Sequence, residues 1–125
     1  MKLKWGASTD VGMVRQQNED SYLAEENLYV VADGMGGHNA GEVASALAVT
    51  TLKAGARSGI DSVERFRELV QQANTAIYTA SLDDSTQSGM GTTLTALSIV
   101  AGEEPRVLVA NVGDARTYLW RNNAL

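Results

Sequence analysis

The chain reads as an α+β protein whose helices and strands are grouped rather than alternated. Three strand-like runs stand first, at Leu3 to Thr9, Asp20 to Ala24 and Leu28 to Ala32. Two helical periodicities follow with no strand between them. Three more strand-like runs close the sequence, at Thr92 to Val100, Arg106 to Val112 and Thr117 to Arg121. A doubly wound parallel sheet would alternate strand and helix, so this order suits a layered α+β fold.

Each element has its own reason. Asp10 to Asn18 is a turn and loop around Gly12. Asp20 to Ala24 and Leu28 to Ala32 form a hairpin that turns at Glu25-Glu26-Asn27. The second of these strands is continuously apolar, as for a strand buried on both faces. From about Asn39, the residues Ala44, Leu47, Ala48, Thr51 and Leu52 recur at helical spacing, and Gly55 to Gly59 ends the pattern. A second helix is expected from Asp61, with Glu64 at capping-box spacing. Its apolar stripe of Phe66, Leu69, Val70, Ala73, Ile77 and Ala80 is the strongest periodic signal and reads as core. Ser81 to Gly91 is polar and loop-like. Turns at Gly102-Glu103-Glu104-Pro105 and Gly113-Asp114-Ala115 separate the closing strands. Arg121-Asn122-Asn123 looks like a further hairpin turn, with Ala124-Leu125 starting a return strand.

Composition narrows the function. At 125 residues the chain is at most one domain. Apolar residues make up 44% and aromatics 6%, so aliphatic side chains must fill the core. A net charge of −5 argues against a nucleic-acid partner, which needs a basic surface, and suits a cleft that takes a cation. With no cysteine, thiol catalysis, zinc thiolates and disulfides are excluded. No apolar signal core follows Met1, and Val43 to Leu52 is too short to span a bilayer. A cytoplasmic protein without a membrane partner is expected.

The residues that carry chemistry cluster early. In Val30-Val31-Ala32-Asp33-Gly34-Met35-Gly36-Gly37-His38 an apolar strand delivers one carboxylate to a glycine turn. A carboxylate beside an exposed backbone carbonyl, here Gly34, suits a hard divalent cation. Asp33 could equally cap the amides of its own turn. The glycine loop is no dinucleotide cradle, because Asn39 holds the third glycine position, and Gly89-Met90-Gly91-Thr92-Thr93 lacks a P-loop lysine. Arg15, Glu19 and Asp20 add a guanidinium and two carboxylates. They read either as a solvated Arg–Glu pair or as a phosphate fork beside metal-directed acids. Asp114 fits a hairpin turn. His38, the single histidine, is either a helix-start residue bonded to backbone or a general acid for a leaving alkoxide.

Taken together the chain resembles the metal-dependent protein phosphatases, the PPM or type 2C family. The matching residues are Thr9-Asp10-x-Gly12, Val14-Arg15-x-x-Asn18-Glu19-Asp20, Val30 to His38, Gly41-Glu42-x-Ala44, Gly91-Thr92-Thr93 and Asn111-Val112-Gly113-Asp114-Ala115-Arg116. The Asp-Gly-Met-Gly-Gly-His form resembles the bacterial branch. The resemblance implies a layered α-β-β-α sandwich with a centre of two Mn²⁺ or Mg²⁺ ions. Asp33 would bridge both ions, the Gly34 carbonyl would bind one, and Asp20 with Glu19 would hold metal-bound waters. Arg15 would bind the substrate phosphate, and Asp114 would serve a weaker third ion. A bridging water would attack phosphorus in phosphoserine or phosphothreonine proteins. Eukaryotic relatives place a histidine directly after Asp-Gly, where this chain has Met35.

By the same resemblance the family domain is about twice as long. Its second half carries an Asp-Gly and an Asp-Asn with further metal aspartates. Here Asp-Gly occurs once, Asp-Asn never, and Asp83 and Asp84 at a helix end are poor substitutes. Residues 1–125 are therefore expected to be the N-terminal half of such a domain, inactive alone and partnered by the missing C-terminal half. The rival expectation is a non-catalytic fragment or pseudophosphatase that acts as a binding module.

Overall fold

The hairpin forms because two strand-prone runs stand close together in sequence and pair residue for residue from Asp20 opposite Asp33 to Glu25 opposite Leu28. In the computed structural model, which describes residues 2–25 and 27–125, β1 (Asp20–Glu25) pairs antiparallel with β2 (Leu28–Met35). Glu26 of the expected turn lies outside the described residues. Helices α1 (Ala40–Ala56) and α2 (Val63–Asp83) follow, with a short 3₁₀ turn at Ser85–Gln87. Strands β3 (Gly91–Thr92), β4 (Leu94–Val100) and β5 (Arg106–Val112) complete an antiparallel sheet of order β1-β2-β4-β5. The two-residue β3 pairs with the far end of β2.

Alternation along the strands decides what covers each face. Leu28, Val30 and Ala32 of β2, with Leu94 and Ala96 of β4, point to one side. There they meet Ala48, Val49 and Leu52 of α1 and Phe66, Leu69 and Ala73 of α2. Burying each large aliphatic or aromatic side chain in such a cluster contributes about 1.5–3 kcal/mol. Of the α2 stripe read as core, Phe66, Leu69 and Ala73 are buried, and Val70, Ile77 and Ala80 pack half-buried against the core clusters. A smaller cluster of Ala40, Ala44 and Met90 seats the segment before β3 against the start of α1. No helix among the described residues is long and apolar enough to cross a membrane.

Five expectations need correction. β2 is not buried on both faces: Val31 is 51% exposed, whereas Val30 beside it is 2% exposed. Leu3 to Thr9 and Thr117 to Arg121 are not strands. Trp5 to Ala7 of the first segment and Thr117 of the second touch the second face of the sheet, but neither segment pairs in the ladder. Trp5 packs edge-on against Tyr29, Ala7 and Thr117 border a groove with Tyr22 and Val31, and the Thr117 hydroxyl bonds that of Thr95. The α2 cap is Ser62, one residue later than expected, whose Oγ accepts from the Arg65 amide at 3.2 Å. Glu64 instead sits in the first turn, where its charge favours the helix dipole. Finally, α2 runs through Ser81 to Asp83, residues expected to be loop.

The turn at Asn122-Asn123 is as expected. Both residues have positive φ, 52° and 60°, and Arg121 and Ala124 exchange both backbone hydrogen bonds, at 2.9 and 3.0 Å. That is the type I′ geometry asparagine tolerates.

Candidate metal and phosphate site

The pairing register puts Asp20 directly opposite Asp33. Directly opposed residues share a face, so both carboxyls project to the second side of the sheet, at the end where the hairpin opens. There the loop of residues 10–18 folds back to form a cleft of about 480 Å³. Arg15, Glu19, Asp20, Asp33 and Gly34 all line it, with Asp10, Asn18 and Gly36. Five of the seven residues singled out in the sequence thus converge.

Backbone contacts fix the two aspartates. The Asp33 amide donates to Thr93 Oγ1 at 3.2 Å, and the Thr93 amide donates to the Asp33 carbonyl at 2.8 Å. The Asp20 amide donates to Asn18 Oδ1 at 3.0 Å, and the Asn18 amide group donates to Thr9 Oγ1 at 2.8 Å. Gly34 donates from its amide to the Glu19 carbonyl at 3.1 Å. It must be glycine, since a Cβ there would lie 1.8 Å from the Gly41 carbonyl oxygen. Gly41 is equally constrained, because its Cβ would lie 2.8 Å from Cδ and Oε1 of Glu19. The Glu19 carboxylate therefore rests over the first turn of α1, where the helix dipole favours it.

Opposed carboxylates repel. The Asp20 carboxyl is pushed above the usual range, first by partial burial, then by the charge of Asp33 and a hydrogen bond shared with it, and last by Glu19. An all-oxygen donor set with surplus negative charge is the kind a divalent cation relieves. In number the set is incomplete: among the described residues no three acidic or imidazole side chains converge closely enough to hold an ion. Arg15 forms no ion pair with Glu19 or any other described residue, so its fork stays available on the cleft wall.

His38 and Asp114 are not brought into the cleft. His38 is exposed at the approach to α1, with φ at 52°, and its ring makes no backbone hydrogen bond among the described residues. Asp114 sits in the exposed turn after β5, where the neighbouring Gly113 packs against Thr93 (3.1 Å from the Gly113 Cβ position to Thr93 Cγ2). Asp84 is committed elsewhere, accepting from the Thr86 amide and hydroxyl, which lowers its pKa.

Ser45, Thr93 and Asn18 are the supporting residues to which the sequence assigned no role. Asn18 and Thr93 stand inside the matching motifs without an assigned role, whereas Ser45 lies outside them, a polar residue in the buried stripe of α1 at 0% exposure.

This site sits on a chain that belongs to the protein phosphatase 2C family, whose model matches residues 13–124. The serine/threonine protein phosphatase PstP of Mycobacterium tuberculosis is 41% identical over 98% of the chain, which spans 24% of that protein. The serine/threonine phosphatase stp of Listeria welshimeri is 41% identical over 94% of the chain, which spans 50% of its length. A crystal structure of the PstP catalytic domain in complex with two manganese ions superposes with a TM-score of 0.81 at 41% identity, covering 90% of this chain and 49% of that one. The chain thus has the fold of part of a PPM catalytic domain and spans half or less of the length of these relatives.

Proposed function

We propose that these 125 residues are the N-terminal half of an Mn²⁺- or Mg²⁺-dependent phosphatase domain that acts on phosphoserine and phosphothreonine proteins in the cytoplasm. The observation that carries this reading is the cross-strand pair Asp20–Asp33 in one cleft with Arg15. Asp33 and the Gly34 carbonyl would ligate metal directly, and Asp20 with Glu19 would hold water on it. Bound ions supply an acidified water and offset charge at phosphorus. Arg15 grips two phosphate oxygens in a fork and orients phosphorus toward the aspartate pair. His38, two residues beyond the Gly36 wall, is the candidate proton donor to the leaving serine or threonine oxygen. Asp114, at the same end of the sheet, is the candidate for a third ion.

The experiment uses a chain carrying both halves of the domain, with p-nitrophenyl phosphate and a phosphothreonine peptide as substrates and Mn²⁺ varied. Asp33→Asn should abolish metal-dependent turnover at any substrate level. Arg15→Ala should raise KM strongly and lower kcat as far as the fork tightens in the transition state. Normal activity in Asp33→Asn, or unchanged constants in Arg15→Ala on both substrates, would refute the assignments.

One observation favours a second reading. With no three acidic or imidazole side chains close enough to hold an ion among the described residues, the chain alone is suited to bind a phosphorylated partner through Arg15 without turning it over. Hydrolysis by the 125-residue chain at saturating Mn²⁺ would decide against that reading.

A further inference from the structure

Ser45 is the one hydroxyl of α1 that is completely buried and faces the cleft-forming segment. Its Oγ lies 2.6 Å from the Glu19 carbonyl oxygen, 2.9 Å from Ser21 Oγ and 3.2 Å from the Glu42 carbonyl oxygen. A hydroxyl has one proton, and the shortest contact marks where it goes. Ser45 therefore donates to the Glu19 carbonyl and accepts from the Ser21 hydroxyl. The same Glu19 carbonyl accepts the Gly34 amide at 3.1 Å. The oxygen is thus held from two sides, by the helix and by β2, immediately before Asp20 and immediately after Asp33.

The location matters because of what it opposes. Asp20 and Asp33 face each other across the hairpin mouth, and when both are ionised, directly opposed like charges are destabilising. Past Asp20 the ladder ends, and the chain enters the loop of residues 10–18. The Glu19 clamp is the last tie from the helix layer to this segment before the ladder runs out. Burial raises the stakes: without the Ser45 proton the Glu19 oxygen keeps only the Gly34 amide in a site water does not reach easily.

We infer that Ser45 is a positioning residue for the candidate metal centre, holding the Glu19-Asp20 segment in register with Asp33 through the Glu19 carbonyl. This rests on the metal reading above, so two readouts are needed. Mn²⁺ titration of the 125-residue chain, followed by the electron paramagnetic signal of free ion, reads the site. Hydrogen exchange at the Gly34 amide reads the clamp with no metal present. Val49→Ala, one turn along the same buried face of α1 and away from the cleft, controls for general loosening of the helix.

Ser45→Ala should lower Mn²⁺ affinity about tenfold, the usual scale for losing a group that orients a ligand. It should also speed exchange at Gly34 well beyond the change in Val49→Ala. Ser45→Cys fills nearly the same space and donates weakly, so it should fall between alanine and wild type. It also keeps the experiment readable if the alanine chain does not fold. If the wild-type chain binds no Mn²⁺ but Gly34 responds as expected, the metal reading falls and the clamp stands. Gly34 exchange at the wild-type rate in Ser45→Ala, or an affinity loss no larger than in Val49→Ala, would overturn the role of Ser45.

Discussion

The two faces of the sheet both carry apolar side chains and end in different states. On one face Val30, Ala32 and Leu94 are sealed under α1 and α2, with exposures of 2%, 0% and 4%. On the other, Val31, Val107 and Val109 point away from the helices and stay about half exposed, at 51%, 52% and 53%. The difference lies in the cover. The helices bring stripes at 3.6-residue spacing that interdigitate with the strands. The second face receives only the irregular segments around Trp5 and Thr117, which bury Ile99 and part of Tyr29 and leave the rest open. The candidate site belongs to the open face, because Asp20 and Asp33 share the parity of Tyr22 and Val31. One face thus supplies stability, and the other, left more open, carries the candidate site.

The largest expected effect breaks the closed face. Leu69→Ala should cost about 2–5 kcal/mol, since Leu69 is fully buried against Gly55 and the site cannot collapse around the loss. Val109→Ala on the open face should cost under about 1 kcal/mol. Urea titrations of both variants check the contrast, and equal losses would mean that the two faces are equally packed.

A middle-sized effect concerns association. The exposed valines and the unpaired edge of β5 should make the chain self-associate as concentration rises. The double change Val31→Thr, Val109→Thr should reduce light scattering across a concentration series while the helix signal of circular dichroism stays the same. A monomeric wild-type chain with a sharp, high melting transition would contradict the open-face description.

The smallest effect is electrostatic. The folded state raises the Asp20 pKa, so folding favours its protonated form. Stability from this group is therefore greatest below the ordinary carboxylate range and falls as pH rises through the raised value. Asp20→Asn should raise the melting temperature slightly at about pH 7 and give no gain at about pH 3. Calorimetric scans at both values test the sign, and a gain confined to acid would show that Asp20 is held by attraction rather than strained by repulsion.

Much of this was legible in the sequence, and the reasons are local. The hairpin, the α2 stripe and the Asn122-Asn123 turn each depend on a few neighbouring residues, so pattern sufficed. The convergence of Arg15, Glu19, Asp20, Asp33 and Gly34 was legible only jointly, through motifs whose single readings were ambiguous. What escaped depends on distant contacts. Leu3 to Thr9 has strand character but no ladder partner, and pairing is not a property of one segment. Ser62 rather than Asp61 caps α2 because of how the chain enters the helix. Ser45 and Thr93 hold site backbone from far along the chain, Ser45 at Glu19 and Thr93 at Asp33.

Calorimetric titration of Mn²⁺ into the 125-residue chain and its Asp33→Asn variant tests most directly whether the Asp20–Asp33 end of the sheet is a partly assembled metal site. We expect weak binding by the wild-type chain, with a dissociation constant on the order of 10⁻⁴ M or weaker because few carboxylates converge, and no binding by Asp33→Asn. Tight, stoichiometric uptake of two ions by the wild-type chain, or equal binding by the two proteins, would contradict it.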